Sequence, residues 1–192
     1  MKKIILTLFV ASSLLLYSIP SFAFSLSVGI PMSQTITGKQ AGKSYGNAPD
    51  KTSGYFLGVS FLSIGLGIDS YTTKFKTGDC NGCWEAEVDA GLKTNMTNIF
   101  LQLPVPVVNL IIGLGKGTTE YDCKYSFGDC SKFYEKGSAT QWYTSIGFPI
   151  IPLFDIHLSY RSITSKNIAS KYDGEKYDNS GSVTGIGLAF NF

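Results

Sequence analysis

The 192-residue chain is sparing with charge: Asp, Glu, Lys and Arg make up 16% of it, and it has one histidine, His157, and one arginine, Arg161. It also lacks a basic excess. Its only charges before residue 24 are Lys2 and Lys3, and residues 24–192 hold 14 basic and 14 acidic side chains. A chain of formal charge zero has nothing to set against a phosphate backbone, so nucleic acid is excluded as a partner. After residue 23 no apolar run approaches the ~20 residues of a spanning helix. If the chain crosses a membrane it must do so as a closed barrel, the other form that satisfies every backbone polar group.

What is present begins with three physical regions. Lys2 and Lys3 form a positive start, residues 4–16 an apolar run, and Ser21-Phe22-Ala23 a small-residue cleavage site. These make residues 1–23 a secretory signal peptide, cleaved after Ala23. The apolar run is too short for an anchor, and no cysteine follows that could carry a lipid. Residues 24–192 are the length of a single domain.

Along that domain apolar side chains recur at every second residue. The alternation predicts eight strands, at 24–32, 55–61, 64–69, 97–103, 110–115, 142–148, 154–161 and 184–192. Their connections alternate in length. Short joints fall at Leu62-Ser63, at Pro104-Val105-Pro106 and at Pro149-Ile150-Ile151-Pro152, where paired prolines cannot extend a ladder. Long polar loops are predicted at 33–53, 76–91, 122–138 and 165–181. Short turns at one end and long loops at the other are the pattern of an outer-membrane barrel.

A soluble barrel would alternate as well. It would turn its polar face to water and furnish that face with Lys and Glu. Here the polar face is Gly, Ser, Asn, Gln and Tyr, which suits a narrow lumen filled by side chains, and the other face is Leu, Ile, Val and Phe. Tyr55, Tyr121, Trp142 and Tyr160 stand near strand ends, where interfacial aromatic girdles form.

The chain closes on Gly187-Leu188-Ala189-Phe190-Asn191-Phe192. This alternating strand with a terminal Phe resembles the last strand of outer-membrane barrels, in which Phe190 and Phe192 would be the assembly signal. With the leader and the loop pattern, residues 24–192 resemble the small OmpA, OmpX and opacity-protein type over nearly their full length. The resemblance implies an all-β, eight-stranded antiparallel up-and-down transmembrane β-barrel in the bacterial outer membrane. Implied partners are outer-membrane lipids and lipopolysaccharide, the barrel assembly machinery, and an extracellular partner met by the loops. The periplasmic peptidoglycan-binding domain that some relatives append is not expected. Such barrels include structural proteins, adhesins, enzymes and small pores, so function does not follow from the fold.

One strand gathers unusual chemistry. Asp155, His157, Ser159 and Arg161 share a face opposite Phe154, Ile156, Leu158 and Tyr160, and so point into the lumen. A charge there is costly unless paired. The expectation is a polar lumen network of Asp69, Asp155, His157 and Arg161, with Tyr143 and Gln102 completing its hydrogen bonds. An alternative comes from His157 and Ser159, whose His-x-Ser spacing resembles that of outer-membrane lipid A deacylases. That chemistry needs a carboxylate to orient the base. The following strand offers none on its inner side, and Glu175 lies in a loop. The polar face also points away from lipid substrates. A non-catalytic barrel, without cofactor or metal, is therefore expected, with a narrow passive channel as a further alternative.

Cys80, Cys83, Cys123 and Cys130 lie in the second and third long loops. An exported chain passes an oxidising compartment, so disulfides are expected, with local or crossed pairing equally open. Zinc is disfavoured because six residues separate Cys123 from Cys130, too many for a knuckle. The loop aromatics Tyr45, Tyr125, Phe127, Phe133, Tyr134, Tyr172 and Tyr177 could anchor a partner, and Lys74 and Lys116 near the strand tops could meet lipopolysaccharide phosphates.

Overall fold

The computed structural model describes residues 24–38, 49–75, 90–105, 107–125, 128–151, 153–166 and 168–192. Residues 1–23, expected to be a signal peptide, lie outside them, as do Cys80, Cys83, Tyr45 and Phe127. Eight long strands form one antiparallel sheet: β1 (Phe24–Ile36), β2 (Pro49–Phe61), β3 (Ile64–Phe75), β4 (Ala90–Val105), β5 (Val108–Tyr125), β6 (Gly137–Ile151), β7 (Phe154–Ser165) and β8 (Gly181–Asn191). Each pairs with its neighbours in sequence, and β8 pairs back onto β1. The sheet is therefore a closed up-and-down barrel with no free edge along these strands. Among the described residues no helix is long and apolar enough to cross a membrane.

The two-residue period of a strand sends alternate side chains to opposite faces. In β3, Ile64, Leu66 and Ile68 point outward and are 57%, 60% and 46% exposed, while Gly65, Gly67 and Asp69 between them are buried. The same inversion holds for Leu101 against Gln102 on β4 and Leu158 against His157 on β7. Apolar side chains thus form an outer belt, as lipid requires, while the interior mixes polar and charged groups with buried Phe56, Tyr71, Met96, Ile163 and Val183. Trp142 and Tyr160 sit on the outer face in contact, ring centroids 5.8 Å apart. Tyr121 does not join them. Its odd number shares the inward parity of Ile111 and Thr119 on β5, so it turns away from lipid.

The inner glycines leave room for large neighbours. A Cβ at Gly65 would overlap the Phe100 ring, and one at Gly113 would overlap Tyr143. The turn at Leu62 and Ser63 has φ of 46° and 73°, the paired positive values of a tight hairpin turn whose twist matches the strands. The third short joint departs from the sequence expectation. β6 continues through Pro149 and Ile150 to Ile151, with a bulge in the register between Pro149 and Ile151. Ile150 is the position left without a partner, and Pro149 stands beside it, where a strand tolerates proline.

The strands also run well past the predicted ends on the long-loop side. β2 starts at Pro49 and β5 ends at Tyr125. Above the belt the outer face turns to Thr, Ser and Lys while buried inward residues include Leu92, Ile163 and Val183, so the apolar-outward pattern ends while backbone pairing continues. The sequence pattern reports the membrane belt, and the ladder is longer than the belt.

Candidate functional site

The lumen holds two polar layers, together with a buried apolar cluster of Phe56, Tyr71, Met96, Ala139, Ile163 and Val183. In the upper one, β3 supplies Asp69 and β7 supplies Arg161. The Arg161 Nε donates to Asp69 Oδ2 at 3.0 Å and Nη2 to Oδ1 at 3.5 Å, a two-point clamp. Gln141 on β6 donates through Nε2 to Asp69 Oδ2 and to Asn98 Oδ1, each at 2.6 Å. Arg161 Nη1 donates to Ser159 Oγ at 2.6 Å. The guanidinium carbon lies 3.5 Å from the Phe56 ring centroid and 4.9 Å from that of Tyr143, so the cation has a π face on two sides. Asp69 and Arg161 are both buried, and 92 residues of sequence separate them.

The lower layer surrounds Asp155, near the short turns. Asn109 Nδ2 donates to Asp155 Oδ2, and Asn191 Nδ2 donates to the same oxygen at 2.8 Å. Gln102 Nε2 reaches Asn191 Oδ1 at 3.5 Å, and Ser60 Oγ donates to Gln102 Oε1 at 3.0 Å. His157 stands between the layers, with Nε2 3.7 Å from Asp155 Oδ2 and Nδ1 3.2 Å from Ser145 Oγ. A cavity of about 50 Å³ remains beside Ser27, Asp69, His157 and Ser159, room for a few waters.

The residues singled out in the sequence thus fall into two groups. Asp69 and Arg161 meet; Asp155 and His157 lie in and beside the other layer. Tyr143 contributes its ring face to Arg161, and Gln102 belongs with Asp155. His157 and Ser159 engage different partners, Ser145 and Arg161. The sequence reading missed Asn98, Asn109, Gln141 and Asn191, which carry most of the amide hydrogen bonds. All four have inward parity on their strands, which was the signal available for them.

The second region is the loop end. A Cys123–Cys130 disulfide, seven residues apart, closes the loop after β5, where Gly128–Asp129 pairs with Lys124 and Tyr125. The Cys130 carbonyl then accepts the N–H groups of Phe133 and Tyr134, each at 2.9 Å. In the last loop Ile168–Ala169 pairs with Lys176–Tyr177. The two loops are stitched together: Glu135 N donates to Ala169 O at 2.8 Å, Lys171 N to Phe133 O at 2.9 Å, and Lys171 Nζ to Ser131 O at 2.7 Å. Tyr121, Tyr134 and Tyr177 pack edge to face with centroids 5.0 to 6.3 Å apart. Phe133 and Tyr172 stack at 5.9 Å, and Tyr172 is 79% exposed. Asp173 accepts the Glu175 N–H at 2.9 Å, and this backbone bond, helped by Ser170, holds its carboxyl below the usual aspartate value.

No family model matches the chain, and no curated protein matches it in sequence. Solved structures do match. Neisserial surface protein A superposes with a TM-score of 0.61 at 12% identity, over 88% of this chain and 97% of that one. Ail of Yersinia pestis, in complex with the heparin analogue sucrose octasulfate, gives 0.53 at 21% identity, over 88% and 97%. Outer membrane protein W of E. coli gives 0.52 at 13%, over 90% and 98%. At such identities the likeness is one of fold. Joined to the outward apolar belt, it shows that the chain has the eight-stranded barrel fold of these small bacterial outer-membrane proteins.

Proposed function

We propose that this barrel is a non-catalytic scaffold whose filled lumen holds the wall rigid while its last two long loops present an ordered recognition surface. The observation that carries the reading is the stitching of residues 128–136 to residues 168–177 by backbone hydrogen bonds and aromatic packing, with the Cys123–Cys130 disulfide bracing the first of the two segments. Ordering two loops costs conformational entropy, and a preorganised surface recovers it as affinity for a partner. The exposed Tyr172 on Phe133 is an aromatic anchor of the kind that dominates interface energies. Residues 128–136 and 166–180 hold five lysines and five acids. The surface therefore has no net charge to favour a polyanion such as the one bound by Ail, and a protein partner fits it better.

In this reading residues 1–23 direct export, and Phe190 on β8 with Phe192 just after it offer the closing strand to the assembly machinery. Bacteria displaying the chain should adhere to protein-coated surfaces, and Phe133→Ala with Tyr172→Ala should abolish the gain. Their lipid A should keep its acyl chains. Loss of an acyl chain that Ser159→Ala prevents would replace this reading with the esterase one. Planar bilayers holding the barrel should pass little current; a steady conductance would establish a pore.

A further inference from the structure

Around each short turn the chain runs without charge for many residues. Residues 52–68, 94–115, 137–154 and 179–192 hold no Asp, Glu, Lys, Arg or His. The nearest charge, Asp155, points into the lumen and is buried. At the turns the side chains are apolar and open: Val107 is 83% exposed, and Leu62, Ile150, Ile151 and Leu153 are more than half exposed. Phe24 and Phe192 stand at the same end, tied by backbone hydrogen bonds of 3.3 and 2.9 Å, and Phe192 is also more than half exposed. The backbone here is satisfied from within. Ser63 O accepts the Gln102 N–H at 2.7 Å, Leu153 O accepts the Asn191 N–H at 3.0 Å, and the β4–β5 ladder closes at Val105 and Val108.

We infer that this rim does not stand in the periplasm, where outer-membrane barrels hold their short turns, but is inserted into the inner leaflet among phospholipid chains. The strands alone make a short belt. On β2 its outward members are Phe61, Val59, Leu57 and Tyr55, and on β4 they are Val105, Leu103, Leu101 and Ile99. Three steps of about 6.6 Å on strands tilted by about 40° rise ~15 Å along the membrane normal. The apolar band of such a barrel is about 25 Å tall. On the loop side the band cannot grow far, because Lys116 follows Leu114 on the outer face of β5 and Lys51 follows Ser53 on that of β2. On the turn side it meets no charge at all, and the rim continues the belt without a break. In water the same rim would be a contiguous apolar patch without a partner. The internally bonded turn carbonyls fit lipid rather than water, since hydrocarbon offers no solvent to satisfy them. Seated this way, the Asp155 layer faces phospholipid headgroups instead of open periplasm.

The test places the purified barrel in phosphatidylcholine nanodiscs, whose two faces both meet the buffer, and reads depth by tryptophan fluorescence. Val107→Trp, Ile150→Trp and Tyr172→Trp are each made with Trp84→Phe and Trp142→Phe, and a heat-dependent gel shift verifies that each variant folds. Lipid brominated near the glycerol end of its chains should quench the tryptophan at 107 and at 150, and aqueous iodide should quench both several-fold less than the one at 172. Iodide quenching at 107 and 150 equal to that at 172 would overturn the inference, because the rim would then stand in water. Shielding from iodide without quenching by brominated lipid would also overturn it, leaving a contact between protein surfaces as the cover. Since tryptophan itself favours interfaces, a second measurement leaves the rim free of it. In the Trp84→Phe background, Leu62→Asp with Ile150→Asp should draw the rim toward water and carry the native Trp142 deeper, so that its quenching shifts to lipid brominated farther down the chain. A Trp142 that keeps its depth in this folded variant would overturn the inserted rim.

Discussion

The two lumen layers each bury a carboxylate, and they neutralise it by opposite means. Asp69 meets a guanidinium clamped between aromatic rings, with Gln141 as an additional donor. Asp155 meets two asparagine amides on one oxygen, with His157 at 3.7 Å. The first arrangement couples β3 and β7 across the barrel and depends on one residue. The second spreads the work over β5, β7 and β8 and on to Gln102 of β4. The difference teaches that a narrow lumen can hold charge either by a counter-ion or by a web of amides. The two should fail differently when cut.

The largest effect is expected from Arg161→Ala, which leaves Asp69 buried without its counter-ion. Breaking a buried pair from one side costs about 3–5 kcal/mol, read as a lower midpoint for the heat-dependent mobility shift or for urea unfolding. Combining Arg161→Met with Asp69→Asn removes both charges and should restore most of that loss. If the single variant unfolds at the wild-type midpoint, the clamp does not support the barrel. Asn191→Ala should cost less, about 1–3 kcal/mol for a lost partner of a buried polar group, because Asn109 still donates to Asp155. A loss as large as that of Arg161→Ala would erase the contrast between the layers.

Outside the lumen the effects should become local. Cys123→Ser with Cys130→Ser removes a short-loop cross-link, a contribution of about 2 kcal/mol to loop order. Proteolysis within residues 124–136 should accelerate while the barrel midpoint stays within about 0.5 kcal/mol. The smallest effect is one of pH. The Asp173 carboxyl is held below its ordinary 3.8 by the Glu175 N–H. Its contribution to loop order is therefore complete above that value in pH and is lost as pH falls through the lower folded value. Amide exchange at Glu175 should rise in that acid window and stay flat from pH 5 to 8, and Asp173→Asn should remove the acid dependence.

Much of this fold was legible in the alternation, because lipid on one side and a packed lumen on the other impose a strict two-residue code. Ile64, Leu66 and Ile68 against Gly65, Gly67 and Asp69 could be sorted by parity alone. The strand tops above the belt were not legible, since outward Thr, Ser and Lys do not contrast with an inward face that mixes Thr73, Thr94 and Ser165 with Leu92, Ile163 and Val183. The bulge at Pro149 was hidden for another reason: proline signals a break in the ladder without saying whether the strand ends or continues. Of the lumen, the charged members stood out by rarity, whereas Asn98, Asn109, Gln141 and Asn191 look ordinary until their neighbours are known. Tyr121 was misassigned to the outer face although its odd number on β5 marks it as inward.

By itself the sequence determined the number of barrel strands, the face of almost every side chain between the short turns and the belt edge, and the side with long loops. Those depend on local period and turn chemistry, which neighbouring residues settle. The tertiary structure alone decided which inward groups touch. Arg161 meets Asp69, rather than the nearer-in-sequence Asp155, because strand register and the curvature of a closed ring bring positions 92 residues apart within 3.0 Å. It also decided that the last two loops form one surface, since hydrogen bonds between Phe133 and Lys171 or Glu135 and Ala169 leave no trace in composition or period.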